Sequence, residues 1–142
     1  MKPLRVISLI ILVFISSCGN FYGDLDLGGN FYYMTEPSFN DIYVPTNKKK
    51  PYSGGSLVIR DIVSLGYNSS YILATSNRND TLFYWIINKN KKSQELGYDN
   101  YSNLRLSNLK QVDSVQFHNF VDIENIELKP KLYYQRKAGW KK

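Results

Sequence analysis

The sequence predicts an α+β domain, an antiparallel β-meander sheet of about four to six strands with one packed helix. Three observations carry this. Apolar, β-branched runs of strand length recur between Leu57 and Asn88 with short polar turns between them. Aromatic residues make up 15% of the chain, including 12 tyrosines, a composition suited to pleated, half-buried surfaces. One stretch, Ser102 to Val112, instead spaces its apolar residues at i, i+3 behind a serine able to cap a helix.

Taken in order, Phe31 to Glu36 reads as a short aromatic strand stopped by Pro37, and Asp41 to Val44 as another stopped by Pro45. Asn47-Lys48-Lys49-Lys50-Pro51 and Ser53-Gly54-Gly55-Ser56 form a polar loop. The meander follows as Leu57 to Ile59, Ile62 to Tyr67, Tyr71 to Thr75 and Thr81 to Asn88. Its turns lie at Asn68-Ser69-Ser70 and Ser76 to Asp80. Leu82 to Ile87 is apolar on both faces, which predicts the central strand with a helix against one side. Lys48 to Lys50 and Lys89 to Lys92 read as solvated hairpin ends. Ser102 to Val112 is the expected helix, with Leu106, Leu109 and Val112 on one face. Val115 to Ile123 alternates and reads as a further strand, and Pro130 closes the region.

The 142 residues leave room for one ordinary domain. Four segments are expected: a signal peptide at 1–17, a Gly/Asp-rich tether at 18–30, a β-rich globular domain at 31–128 and a basic aromatic tail at 129–142. Lys2 and Arg5 supply a positive n-region, Val6 to Ile15 an apolar h-region, and Ser16-Ser17 the small residues of a cleavage site. The apolar run falls short of the ~20 residues that a spanning helix needs.

The ending Ile15-Ser16-Ser17-Cys18 resembles the lipobox of bacterial lipoproteins, with an aliphatic residue and two small ones before the cysteine. The resemblance implies cleavage between Ser17 and Cys18, a diacylglycerol on the Cys18 sulfur and acylation of the new amine. At about 0.8 kcal/mol per buried methylene, two or three chains anchor stably where one would not. Cys18 is also the only cysteine, so lipidation accounts for an otherwise unpaired thiol in an exported chain. Gly19 follows it, with no Asp resembling the inner-membrane retention signal. The expected address is the cell envelope: the outer membrane in a Gram-negative source, or the outer face of the cytoplasmic membrane in a Gram-positive one.

Gly23-Asp24-Leu25-Asp26-Leu27-Gly28-Gly29-Asn30-Phe31-Tyr32, followed by Tyr71-Ile72-Leu73-Ala74 and Phe83 to Lys89, is similar to a family of small bacterial lipoproteins, a domain of unknown function. That resemblance implies an architecture and no activity, cofactor or catalytic residue.

The net charge of +6 is unevenly placed. Two of the 18 basic residues lie in the signal segment. Six lie in the tail (Lys129, Lys131, Arg136, Lys137, Lys141 and Lys142), leaving ten against 12 acids in the body. The basicity therefore belongs to the tail, and a nucleic-acid partner is not expected. Basic residues interleaved with Tyr133, Tyr134 and Trp140 suit an anionic membrane surface, although a solvated tail is the simpler expectation.

Other motifs weigh little. Asp24-x-Asp26-x-Gly28-Gly29 matches the start of a calcium loop, but Thr35 stands where a bidentate Glu is needed. His118 is the only histidine and is expected to face solvent or the sheet edge. Without cysteine partners it cannot form a structural zinc site, and no Gly-x-Ser-x-Gly elbow accompanies it. Asp122, Glu124 and Glu127 are close in sequence and read as a solvated strand edge. Ser53-Gly54-Gly55-Ser56 lacks the Lys-Ser/Thr of a phosphate loop.

The expectation is a membrane-anchored, non-enzymatic binding or envelope-maintenance module without cofactor or metal, whose partners are the membrane and an unidentified envelope protein. The alternative is an immunity or inhibitor lipoprotein that neutralises an envelope-directed toxin or hydrolase. Replacing Cys18→Ala should leave uncleaved precursor and abolish acyl labelling; membrane retention of a cleaved, unlabelled variant would contradict the lipobox reading.

Overall fold

The computed structural model describes residues 24–138, so the signal segment, Ser17, Cys18, Lys141 and Lys142 lie outside the described residues. The α+β architecture with a meander is present, as antiparallel sheets of four, five and two strands. The described residues hold two α-helices where one was expected.

The first sheet runs in sequence order through β1 (Leu25–Gly28), β2 (Phe31–Tyr33), β3 (Ile42–Pro45) and β4 (Gly55–Ile59). Here the expected tether at 18–30 is corrected over its described part. Leu27 is buried and Leu25 pairs with Tyr33. Gly29 and Asn30 turn at φ 62° and 68°, the positive pair that a twisted two-residue hairpin needs. Gly28 and Gly29, which suggest a linker in the sequence, serve a tight turn.

The chain crosses to the second sheet at Asp61, whose φ is 57°. The buried Asp41 carboxylate accepts the Asp61 N–H at 3.0 Å, and the Asn40 carbonyl accepts the Ile62 N–H at 2.7 Å. Burial raises the Asp41 pKa above the ordinary carboxylate value, with the Asp61 N–H opposing the rise. Beyond this corner come β5 (Ile62–Tyr67), β6 (Tyr71–Arg78), β7 (Thr81–Asn88), β8 (Glu95–Tyr98), β9 (Leu104–Leu106), β10 (Leu109–Val112) and β11 (Lys129–Pro130). The second sheet has the order β10-β7-β6-β5-β11, and β8 and β9 form a separate ribbon. Thus β6, not the expected Leu82–Ile87 strand, is central. It outruns the expected Thr75 because only Asn79 and Asp80 turn, at φ 50° and 61°.

Alternation along β6 divides the interior. Ile72 and Ala74 join Phe31, Tyr33, Ile42 and Ile87 in the core between the sheets. Leu73 points the other way, into a smaller core with Phe117 and Ile126. That second core is covered by α1 (Ser114–Glu124), at the position expected to be a strand. The alternating Val115 and Ile123 are in fact 70% and 77% exposed, and Phe117, Phe120 and Val121 form the packed face at helical spacing. A reciprocal box closes its start: the Asp113 carboxylate accepts the Gln116 N–H at 2.8 Å, and Gln116 Oε1 accepts the Asp113 N–H at 3.4 Å.

The expected helix at 102–112 is instead β9, the Ser107-Asn108 turn and β10. Leu104 and Leu106 alternate into the main core, and β10 continues the second sheet beside β7. The expected tail at 129–142 is likewise structured as far as it is described. Lys129 and Pro130 pair with Leu65 and Ser64, and α2 (Lys131–Lys137) follows with Tyr134 and Gln135 buried. Lys89 is not a solvated hairpin end either. Its Nζ donates to the Leu27 carbonyl at 2.6 Å and to the Asn68 carbonyl, tying the β1–β2 hairpin to the β5–β6 turn. Burial lowers its pKa, against the nearby Asp26 carboxylate.

Gly66 marks the closest approach of the segment following α1. A Cβ there would stand 2.6 Å from the Glu127 carbonyl oxygen and 2.7 Å from Ile126 Cγ2. Gly66→Ala should therefore cost about 1–3 kcal/mol by overpacking in urea unfolding, and an unchanged midpoint would contradict that approach.

Candidate functional site

Helix α1 covers only part of the outer face of the second sheet. Phe117 lies against Tyr84 with ring centroids 5.2 Å apart, and Phe120 meets Tyr71 edge-on at 4.8 Å. The rows paired as Tyr71–Asn88 and Ile86–Lys110 run out from beneath the helix toward the β9–β10 turn. A groove of about 530 Å³ opens there. Its apolar floor is Tyr71, Ile86, Val112 and Phe120. Its polar lining is Asn88, Asn108, Gln111 and Gln116 with Lys91, Lys110 and Ser107, and no carboxylate among the described residues. Neither lysine is paired: the ion pair among the described residues joins Lys129 to Glu127 at 2.5 Å.

The second candidate surface is α2. Of the basic residues expected to meet an anionic surface, Lys129, Lys131, Arg136 and Lys137 come together on or beside this helix, while Lys141 and Lys142 lie outside the described residues. Leu132 and Tyr133 are exposed among them, and Lys129 Nζ stands 5.1 Å from the Tyr133 ring centre. The opposite side of α2 is fixed. The Tyr134 hydroxyl donates to the Leu65 carbonyl at 2.6 Å, and Gln135 Nε2 donates to Asn40 Oδ1 at 2.8 Å. Burial, with Tyr67 and other negative-tending groups nearby, raises the Tyr134 pKa, so the hydroxyl keeps its proton. A cleft of about 220 Å³ brings Asp24 and Leu25 together with Lys137 and Ala138. The first described residues therefore lie at the basic helix.

The remaining motifs fall apart or serve local structure. Asp24 accepts the Tyr43 hydroxyl at 2.7 Å, and Asp26 accepts the Gly28 N–H at 2.8 Å. Burial raises the Asp24 pKa, with the Tyr43 hydroxyl opposing it. No group of three or more His, Cys, Asp or Glu side chains able to hold a metal occurs among the described residues. His118 is exposed as expected, but on α1 rather than on a strand or sheet edge. Its Nδ1 lies 2.7 Å from the Ser114 carbonyl, the geometry of a donated proton, so that nitrogen is committed to the helix backbone. Asp122 and Glu124 lie on α1, and Glu127 pairs with Lys129. Among the described residues no helix is long and apolar enough to cross a membrane.

No family model, curated protein or solved structure matches this chain. The groove is not legible in the sequence because Gln111 and Val112 match a helical spacing and Gln116 and Phe120 fall in a stretch that alternates like a strand. The available signal was Asp113-x-x-Gln116, a capping box at the true helix start.

Tyr134→Phe should cost about 0.5–1.5 kcal/mol, the net value of one hydrogen bond. Amide hydrogen exchange should show faster opening of α2 than of β6; equal protection of α2 in the two proteins would refute the anchoring role.

Proposed function

We propose that this protein is a lipid-anchored, non-enzymatic binding module of the bacterial cell envelope, held through Cys18 and seated on the membrane by α2. The observation that carries the reading is the shared cleft of Asp24, Leu25, Lys137 and Ala138. Cys18 precedes Asp24 by six residues, a covalent reach of at most about 20 Å. An acylated Cys18 would thus keep α2 within that reach of the bilayer. Lys131, Arg136 and Lys137 can then meet anionic headgroups, with Leu132 and Tyr133 suited to the interface. The basic surface adds an electrostatic contact to an attachment that the acyl chains make stable by themselves.

The inhibitor reading has its own support. All four residues of β8 are exposed, and Leu96, Tyr98 and Tyr101 stand out from the ribbon. An exposed apolar edge strand is a surface on which a partner can add a strand or bury aromatics.

The membrane reading is tested with the mature chain carrying Cys18→Ser and vesicles containing phosphatidylglycerol. Binding should be measurable at low salt, decline with added salt, and fall more than tenfold in Lys131→Glu/Arg136→Glu/Lys137→Glu. Equal sedimentation with neutral phosphatidylcholine vesicles, or no effect of the triple substitution, would overturn the seating by α2.

A further inference from the structure

We propose that the groove beside α1 binds an acidic saccharide, a sugar bearing a carboxylate, phosphate or sulfate. This rests on the reading of the protein as a binding module and names its ligand class. Three features of the groove converge on that chemistry.

The first is an excess of donors. Asn88 Oδ1 accepts the Asn90 N–H at 3.0 Å, and Gln116 Oε1 accepts the Asp113 N–H at 3.4 Å. Each carboxamide oxygen thus already accepts a backbone hydrogen bond, while its NH2 group is left for a ligand. Lys91 and Lys110 add two ammonium groups without a carboxylate partner. Such a lining calls for an acceptor-rich anion.

The second is one orphan acceptor. Asn108 is only 4% exposed and donates through Nδ2 to the Asn88 carbonyl at 2.9 Å, yet its buried Oδ1 has no partner. That oxygen is closed off from solvent, so a ligand hydroxyl pairs with it only where the groove lining opens to admit one. Sulfate or chloride brings no such donor, whereas a sugar hydroxyl does.

The third is shape. Tyr71 and Phe120 offer aromatic surface beside Ile86, against which the C–H face of a sugar ring can lie. Polar side chains make up seven of the eleven lining residues, which argues against a hydrocarbon tail. At about 530 Å³ the groove falls within the ordinary range for small-ligand sites.

The test uses the mature chain carrying Cys18→Ser, titrated with trigalacturonate and, separately, with neutral cellotriose, followed by amide NMR shifts. Trigalacturonate should shift the Lys110, Gln116 and Phe120 amides, and cellotriose should not at the same concentration. Lys91→Gln/Lys110→Gln should raise the Kd at least tenfold without changing the melting temperature. The triple substitution on α2 should leave this binding intact. Shifts confined to α2 would show nonspecific polyanion binding and overturn the proposal, as would equal shifts with cellotriose. If decanoate moves the groove amides and trigalacturonate does not, the saccharide assignment falls while the binding-module reading stands.

Discussion

Successive side chains of β6 and β7 are apolar on both faces, so the second sheet must be covered twice. Ile72, Ala74 and Ile87 face the first sheet, while Leu73, Tyr84 and Ile86 face outward. At about 25 cal/mol per Å² of apolar surface, leaving either set in water would forfeit much of the drive to fold. One face is covered by the four-stranded meander that precedes β5, the other by α1, which comes after β10. The cover on the second face is short. An eleven-residue helix cannot shield the whole outer face of a five-stranded sheet, and the uncovered rows become the groove.

The corner at Asp61 and the docking of α2 share a polar cluster. Asn40 holds the corner through its carbonyl and receives Gln135 of α2 through its side chain, with the Tyr33 hydroxyl 3.3 Å from the same Oδ1. Asp41, next in sequence, receives the Asp61 N–H. Buried polar groups of this kind are tolerated because they are paired, and the pairing fixes one geometry. Here it couples the passage between the sheets to the position of the basic helix.

Much of the fold was legible because strand signals and their turns are local. Ile62 to Tyr67 and Thr81 to Asn88 are strands at the expected bounds, since β-branched runs there end at turn-forming Asn, Ser and Asp. What failed was the assignment of period. Val115 to Ile123 satisfies alternation and helical spacing alike, and only the Asp113–Gln116 box separates the two. Leu106, Leu109 and Val112 matched a helix although the Ser107-Asn108 turn lies between them. The tail failed for a different reason. Lys129 to Lys137 reads as solvated because its charge dominates, while its burial depends on Tyr134 and Gln135 meeting Leu65 and Asn40, contacts far away in sequence. The groove was illegible for the same reason, being assembled from strands that meet only in the sheet.

The two candidate surfaces sit at opposite edges of the second sheet. The groove extends from Tyr71 at the start of β6 across β7 to β10, one edge strand; α2 follows directly from β11, the other. Neighbouring strands are spaced about 4.8 Å apart, so four steps separate the edges by roughly 19 Å. A domain lying on a bilayer through α2 would therefore have β10 displaced by about that distance across the sheet from the strand that leads into the helix. The lysines at the groove would then be free to meet an anionic ligand in the surrounding envelope without competing for the headgroups beneath. Charge is partitioned in the same way: one set of basic residues belongs to the surface proposed to fix the protein in place, and another, smaller set to the surface proposed to recognise a ligand.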